Sequence, residues 1–556
     1  QVRALNQMGV HAAWLNSSLS FAQYKKALEY AKEGRYKIIY VAPERLLTEG
    51  FLDFAQNASI SMVAVDEAHC VSQWGQDFRP SYLKIPEFLS RLSARPVVGA
   101  FTATATKEVR NDIVSMLGLE NPHVTVTGFD RKNLYFEVRH EKDKYRAIRS
   151  YLSSHPGQSG IIYCATRKAV EEVCDRLNGD GFPATRYHAG LSDEERRKNQ
   201  EAFTYDETPV MVATNAFGMG IDKSNVRFVL HYNMPKNMES YYQEAGRAGR
   251  DGAAADCILF YSGQDVITNQ FFIERDRENE ELTGEALELV RSRDRERLKK
   301  MTFYCHTTDC LRDYMLRYFG EYGGSFCGNC GNCKTGFETV DISLIANDLI
   351  GCVLTSGMRF GINAILDALR GSRSEKVLRF GLDQNRYYGS QAGQTIVFLR
   401  QVCQYLILTE YLAVTDDQFP ILKVKEKGLT FYSEDGELRP VLTMKAARKT
   451  TQPPAGAGAS AGQPQTGAKT HRNGASRPGS APFEELRSLR TQIARREHVP
   501  PYLVFSDKTL ESMCVLLPQN KEEMLAVHGV GELKYQKYGE PFLALCRKLA
   551  GESEEF

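Results

Sequence analysis

The chain has 556 residues, enough for roughly two to four domains, and its 42% hydrophobic and 25% charged residues are ordinary for globular proteins. A formal net charge of +1 excludes a global field that attracts nucleic acid, so any such surface must be local. No apolar run is long enough to span a membrane, and the scattered pattern of 13 cysteines favours a reducing compartment over a disulfide-linked secreted fold.

Residues 1–132 alternate strand-like and helix-like patterns and predict one α/β lobe. The apolar run Val63–Val65 leads into Asp66 and Glu67, as expected at the carboxyl end of a buried parallel strand, where chemistry gathers. One carboxylate there can hold Mg²⁺ through its water shell while the other polarises an attacking water. Because an isolated Asp-Glu pair is more often a salt-bridged surface turn, the residues that follow decide between the two interpretations.

The loop Cys70–Tyr82 follows these carboxylates and carries Trp74, Phe78 and Arg79. Aromatics with an arginine suit stacking on unpaired bases and holding a phosphate, although aromatics that only fasten the loop to the core are an equal alternative. The string Asp66-Glu67-Ala68-His69 and this loop together resemble the DEAH box and aromatic-rich loop of RecQ-type DNA helicases of superfamily 2. The resemblance covers nearly the whole chain, with further motifs in the expected order.

Residues 133–275 predict a second α/β lobe, in which a glycine turn at 218–223 is followed by the string 241–252 with its Q-E-x-G-R-x-G-R-D pattern. The spacing of Arg247 and Arg250 predicts that they share one helical face. The resemblance implies that Arg250 is the arginine finger that reaches the γ-phosphate, with Arg247 and Gln243 beside it. The residues that it assigns to catalysis or nucleotide binding are Asp66, Glu67, His69, Gly220, Asp222, Gln243, Arg247 and Arg250.

Residues 276–340 contain four cysteines with metal-ligand spacing: Cys310, Cys327, Cys330 and Cys333. Four thiolates suit a tetrahedral Zn²⁺, whereas cysteines so close together cannot easily form two disulfides. Cys305 falls outside the spacing that the RecQ zinc module shows. We expect the metal to hold a helix, Leu311–Tyr318, against the glycine-rich segment.

Residues 341–445 predict three helices and then a short hairpin flanked by 406–408 and 421–424, which resembles the winged helix of the family. Residues 357–400 hold seven Lys or Arg against three Asp or Glu, so this region could meet DNA phosphates. A solvated helix face is the open alternative. The candidate phosphate contacts are Arg370, Arg373, Lys376 and Arg379.

Residues 446–480 are rich in Ala, Gly, Pro, Ser and Gln and predict a flexible linker. Residues 481–556 predict a small helical domain whose segments 500–505 and 527–531 resemble the helicase-and-RNase-D C-terminal (HRDC) domain. This last part holds ten Lys or Arg against twelve Asp or Glu, so contact with protein is as reasonable an interpretation as contact with DNA.

The sequence contains no G-x-x-x-x-G-K-[ST] phosphate loop, which in the family lies upstream of the point matching Gln1. Because the downstream motifs are intact, we expect a helicase whose first lobe is N-terminally incomplete, and we expect these residues alone to lack ATPase activity. The alternative is a natural non-hydrolysing relative, a zinc and winged-helix DNA-binding protein with an inert motor remnant.

The resemblance implies an α/β multidomain fold with two RecA-like motor lobes, a zinc-binding helical module, a winged helix and a small all-α C-terminal domain. It further implies ATP, Mg²⁺ and Zn²⁺ as cofactors and 3′-to-5′ unwinding in DNA repair and recombination. The implied partners are single-stranded and duplex DNA junctions, single-strand-binding protein and other repair proteins. The expected location is the cytoplasm, without membrane contact.

Overall fold

The computed structural model describes residues 2–7, 9–15, 19–72, 75, 78–218, 223–275, 284–335, 337–415, 421–434, 441–447, 481–497 and 499–553. These residues form two compact units. The first contains two α/β lobes and the C-terminal helical domain, and the second is built mainly on residues 332–447. Most of the predicted linker, residues 448–480, lies outside the described residues.

The strands of the first lobe pair two by two, β1 with β2 and β3 with β4, and both pairs are parallel. Within β3 only Val65 is buried and Ala64 is exposed, so the predicted burial of this whole strand is wrong; Met62 is 50% exposed and Val97 of β4 is 67% exposed. The elements are α1 (Val2–Gln7), β1 (Ala12–Leu15), α2 (Phe21–Lys32), β2 (Ile38–Val41), α3 (Glu49–Asn57), β3 (Met62–Val65), α4 (Lys84–Arg91), β4 (Val97–Ala100) and α5 (Lys107–Met116). Short 3-10 helices cover Pro43–Arg45, Ala68–Val71 and Pro80–Leu83.

The second lobe is one parallel sheet of six strands in the order β5-β10-β9-β6-β8-β7. Every residue of β6, β8 and β9 is buried, as expected for central strands of a parallel sheet that helices cover on both faces. The elements are β5 (Leu134–Arg139), α6 (Lys144–Ser154), β6 (Gly160–Tyr163), α7 (Arg167–Gly179), β7 (Ala184–Tyr187), α8 (Asp193–Thr204), β8 (Val210–Ala213), β9 (Phe228–His231), α9 (Met238–Ala245), β10 (Ala255–Phe260) and α10 (Gly263–Arg275).

Three helices follow the second lobe: α11 (Glu285–His306), α12 (Leu311–Tyr318) and α13 (Gly331–Lys334). The bounds of α12 coincide with those of the helix predicted from the sequence. None of the helices in the described part of the chain is long and apolar enough to cross a membrane.

The second unit has four helices before its hairpin rather than the predicted three, and the predicted flank at 406–408 ends a helix. That helix ends where Glu410 takes a left-handed φ of 65°, and the first hairpin strand begins two residues later. The elements are β11 (Phe337–Asp341), α14 (Ser343–Thr355), α15 (Ile362–Leu369), α16 (Glu375–Arg379), α17 (Ile396–Leu408), β12 (Leu412–Val414), β13 (Leu422–Val424), α18 (Glu426–Phe431) and β14 (Thr443–Ala447). A 3-10 helix covers Leu382–Gln384.

The C-terminal domain is helical and has an apolar core of its own, which includes Phe505, Met513 and Phe542. Its elements are α19 (Ala481–Glu497), α20 (Pro501–Val504), α21 (Asp507–Leu516), α22 (Lys521–Ala526), α23 (Glu532–Lys534), a π-helical turn at Tyr535–Gly539 and α24 (Glu540–Ser553).

Candidate functional site

A cleft with a cavity volume of about 2070 Å³ lies between the two lobes. Residues from both lobes that the sequence singled out separately line this one cavity. They are Asp66, Glu67, Arg79, Gln243, Arg247 and Arg250. The structure therefore brings the acidic motif of the first lobe and the arginine motif of the second lobe to the same space.

The two carboxylates stand directly after β3, where the backbone turns sharply. Glu67 has φ 47° and ψ 44°, a left-handed conformation that is uncommon for a residue with a side chain and is found most often at functional sites. The backbone N–H of Glu67 donates to Asp66 Oδ1 at 2.9 Å, and that of Ala68 donates to the Phe101 carbonyl at 2.9 Å. These bonds fix the turn that presents both carboxylates at the strand end.

His69 connects this turn to the end of the neighbouring strand, β4. Its side chain is buried, with Nδ1 2.9 Å from Thr102 Oγ1 and 3.3 Å from Glu67 Oε2. Because the imidazole touches both the Glu67 carboxylate and a hydroxyl of the next strand, it can hold the carboxylate in one orientation.

The segment after β4 continues this contact into the second lobe. The backbone N–H of Thr104 donates to Thr102 Oγ1 at 3.2 Å, and Gln243 Nε2 donates to Thr104 Oγ1 at 3.4 Å. Thr106 instead caps α5, because its side chain accepts from the Val109 N–H. One threonine of this run is thus an ordinary helix cap, while the other two join the carboxylate turn to α9.

The aromatic-rich loop folds back onto the carboxylate motif. A Cβ at Gly75 would lie 2.1 Å from the His69 carbonyl oxygen, so only glycine fits there. The N–H of Arg79 donates to the Cys70 carbonyl at 3.0 Å, which closes the loop. Burial raises the pKa of Tyr82 to about 12, so its hydroxyl stays protonated and donates to the Asp66 carbonyl at 3.2 Å.

The predicted DNA-contacting residues of this loop have different surroundings. Phe78 is buried, only 8% exposed, so in this conformation it fastens the loop and offers no ring face to a base. Arg79 is exposed and lines the cleft. Trp74 lies outside the described residues, as do Gly220 and Asp222 of the glycine turn.

The arginine motif does not form a helical face, and that prediction is wrong. Helix α9 ends at Ala245, and Arg247 and Arg250 follow in turns that include Gly249, whose φ is +53°. Arg247 Nη1 donates to the Gly218 carbonyl, and a Cβ on Gly218 would lie 2.9 Å from Arg247 Nη2. Both arginines still reach the cleft, because the turn rather than the helix directs them there.

Arg131 and Asn133, in the segment between the lobes, support that turn. The Arg131 guanidinium donates to the carbonyls of Gly246, Ala248 and Gly249 at 3.4, 3.1 and 3.0 Å. Asn133 Nδ2 donates to the Gly249 carbonyl at 2.9 Å. Sequence reasoning missed both residues, because their partners lie more than 100 positions away.

Helix α12 in turn holds this interlobe segment. Arg312 is buried and donates to Asp130 Oδ1 at 2.8 Å and to the carbonyls of Arg131 and Leu134 at 2.6 and 2.5 Å. A chain of hydrogen bonds therefore runs from α12 through Arg131 to the turn that carries the two cleft arginines.

Comparison with known proteins shows which families the chain matches. The chain matches the families described as DEAD/DEAH box helicase over residues 1–112, helicase conserved C-terminal domain over 143–252, RecQ zinc-binding over 263–334, RQC domain over 336–449 and HRDC domain over 480–546. It is 41% identical to the ATP-dependent DNA helicase RecQ of Bacillus subtilis, over 98% of this chain and 86% of that protein.

The chain belongs to the RecQ helicase family. The protein of the same name from Pasteurella multocida is 34% identical over 99% of this chain and 83% of its own length. The protein from Haemophilus influenzae is 32% identical over 99% of this chain and 85% of its own length. The predicted architecture is thereby confirmed: two RecA-like lobes, a zinc-binding module, an RQC winged helix and an HRDC domain.

The cysteines of this RecQ-family chain meet as the sequence predicted. The Sγ atoms of Cys310, Cys327, Cys330 and Cys333 all lie within 4.8 Å of one another, a spacing that one tetrahedral ion with Zn–S bonds of about 2.3 Å can bridge. The backbone N–H of Asn329 points to Cys327 Sγ at 3.3 Å, as is usual around a thiolate ligand. Cys305 is buried but is not part of this group. The residues fit structural zinc.

The four cations of the RQC winged helix that the sequence singled out are all exposed. Arg370 follows the end of α15, and Lys376 and Arg379 lie on α16, with Arg373 between the two helices. Exposure is compatible with both interpretations of this surface, a solvated face and a contact with DNA phosphates.

Proposed function

We propose that the chain carries the motor, zinc and DNA-binding parts of an ATP-dependent 3′-to-5′ DNA helicase that acts in repair and recombination. The observation that carries this proposal is the shared cleft, where Glu67 of one lobe and Arg250 of the other face the same space and Gln243 joins the lobes through Thr104. A motor needs such a cleft, because closing two lobes on a nucleotide is what couples hydrolysis to movement.

The proposed roles follow from the chemistry of each group. Asp66 would hold Mg²⁺ through water, and Glu67, oriented by His69, would position the attacking water. Arg247 and Arg250 would stabilise the charge that develops on the γ-phosphate, and Gln243 would sense it across the cleft. We assign Gly220 and Asp222 to the ribose side of the nucleotide. Zinc bound by the four cysteines would be structural.

The proposed DNA surface combines the aromatic-rich loop with the winged helix. Trp74 and Arg79 would grip single-stranded DNA beside the motor. The four exposed cations of the winged helix, Arg370, Arg373, Lys376 and Arg379, would contact duplex phosphates at a junction. Single-strand-binding protein and other repair proteins are further proposed partners, and the proposed location is the cytoplasm.

We further propose that the 556 residues by themselves bind Mg·ATP poorly and hydrolyse it at background rate. The sequence has no Gly-Lys-Ser or Gly-Lys-Thr loop to cradle the phosphates, and much of the catalysis of phosphoryl transfer is positioning. DNA binding should persist and weaken as salt rises, because its contacts are mainly to phosphate. ATP turnover and salt-dependent DNA binding measured on one preparation test this, and robust turnover that Glu67→Gln abolishes would contradict it.

The second candidate function is a DNA-binding protein with an inert motor remnant, and the same measurements on a fused protein separate the two. Fusing the phosphate-loop segment of a RecQ relative to this chain should yield DNA-stimulated ATPase activity if the cleft is a working motor. An inert remnant would stay inactive after the fusion while binding DNA equally well.

In that fused protein, Arg79→Ala and Trp74→Ala should reduce the stimulation of ATP hydrolysis by single-stranded DNA while leaving the basal rate unchanged. The reason is that the loop touches the carboxylate motif through Gly75 and Arg79 and so can report bound DNA to it. Phe78→Leu is the matched control, because Phe78 is buried. Full stimulation in both variants would show that the loop is only structural.

A further inference from the structure

A fully buried arginine lies where the HRDC domain, α19 to α24, meets the second motor lobe. Arg490 of α19 is 0% exposed, although arginine is almost never fully buried without partners. Within its own domain, Nη1 donates to Asp507 Oδ1 at 2.7 Å and to the Phe505 carbonyl at 3.0 Å. Its Nη2 donates to Asp206 Oδ2 of the second lobe at 3.5 Å.

The lobe presents a matching set of charges. Asp206 also accepts from Nζ of Lys223, which is only 2% exposed. Arg227 pairs with Asp251 and lies 3.9 Å from Asp507 of the HRDC domain. On the exposed rim, Arg495 Nη2 lies 2.9 Å from Glu207 Oε1.

The core of this contact, which we name the docking cluster, holds three cations and three carboxylates, of which Lys223 and Arg490 are buried and the others half-buried. They are Lys223, Arg227 and Arg490 with Asp206, Asp251 and Asp507. Burial lowers the pKa of Lys223, and the Asp206 carboxylate acts in the opposite direction. Burying a charge is costly unless it is paired. A cluster in which each charge has a partner therefore favours the one docking geometry that pairs them all, rather than increasing affinity non-specifically.

The cluster also sits at both ends of one chain segment. Asp206 precedes β8, and Lys223 is the last residue of the sequence segment 218–223, whose first residue, Gly218, binds Arg247 in the cleft. We propose that the HRDC domain is an intramolecular docking partner of the second lobe, held by the docking cluster, and that docking fixes both ends of the segment from 206 to 223. The link to the cleft rests on the proposed function; the docking itself does not.

Hydrogen–deuterium exchange of the full chain, without nucleotide or DNA, tests the docking. In Asp206→Asn, the HRDC peptides that cover 485–497 should exchange roughly tenfold faster, because a buried charge loses its partner across the interface. In Arg490→Met, lobe peptides around 202–208 and 223–228 should respond in the same way. Arg496→Met, on the same helix but 69% exposed and next to Glu497, is the matched control and should change neither region.

The decisive readout is a change in the domain that was not mutated. If Arg490→Met unfolded the HRDC domain, exchange would rise throughout α21 to α24. In that case Asp206→Asn, which leaves the sequence of that domain unchanged, still tests the docking. A rim swap gives an independent check: Glu207→Arg and Arg495→Glu should each speed exchange across the interface, and the double variant should restore it. Changes confined to the mutated domain, or a double variant no better than the singles, would overturn the proposal.

Discussion

The two motor lobes hold their sides of the cleft in different ways. In the second lobe, six strands form one sheet whose central strands are buried. The arginine turn, residues 246–250, is hydrogen-bonded to the rest of this lobe and its linking segment through Arg131 and Gly218. In the first lobe, strands pair two by two and Met62 and Val97 are exposed. The carboxylates therefore depend on a few hydrogen bonds between two neighbouring strand ends, whereas the arginines are held against a larger packed sheet.

The largest expected effect comes from removing zinc from the cysteine group, because the zinc module holds the segment that supports the arginines of the second lobe. Cys330→Ser should lose bound zinc, because one of four ligands is gone and structural zinc contributes on the order of 10 kcal/mol in small modules. Exchange should then rise in α12 and in the arginine turn that Arg312 and Arg131 support, but not around Asp66. Metal analysis and hydrogen exchange measure both effects.

Cys305→Ser is the matched control, because Cys305 is buried, as Cys310 and Cys330 are, but lies outside the group. Equal zinc content in the two variants would reject the ligand assignment. Zinc loss without any change of exchange in the arginine turn would show that the six-stranded sheet holds this turn without help from the zinc module.

A pair of glycines compares the two sheets directly. A Cβ at Gly160 of β6 would lie 2.2 Å from the ring of Phe228, which is fully buried and cannot move aside. A Cβ at Gly99 of β4 would meet the ends of Phe101 and Met62 at 2.9 and 3.0 Å, and both side chains can turn into solvent. Gly160→Ala should cost about 3 kcal/mol of local stability and Gly99→Ala less than about 1 kcal/mol.

Hydrogen exchange in each lobe gives these two local stabilities separately, which one global unfolding transition of a multidomain chain cannot. Equal destabilisation of both lobes would mean that the first lobe is packed as tightly as the second.

The features that sequence reasoning predicted are those set by neighbours along the chain. The grouping of the four cysteines and the bounds of α12 follow from local spacing and local helix pattern, and the structure has both; the role of the cysteines as zinc ligands stays a prediction. The prediction of a shared helical face for Arg247 and Arg250 was wrong because α9 ends at Ala245, before both residues, and Gly249 between them takes a left-handed φ of +53°. The residues that support the site and the docking cluster could not be predicted from local patterns. Arg131 donates to a carbonyl 117 positions away, and Arg490 donates to a carboxylate 284 positions away.

A further small effect concerns the hydrogen bond between Thr104 and Gln243, which joins the two lobes within the described residues. Thr104→Val keeps the shape of a side chain that is 3% exposed but removes the hydroxyl that accepts from Gln243. We expect the local free energy of opening of α9, in the opposite lobe, to fall by about 0.5–1.5 kcal/mol, which would be measured as faster hydrogen exchange there. Thr106→Val is the control: it removes the cap of α5, so it should speed exchange in α5 and leave α9 unchanged. If both variants alter only α5, the Thr104–Gln243 bond does not couple the lobes, and the carboxylates and arginines meet in the cleft without communicating through it.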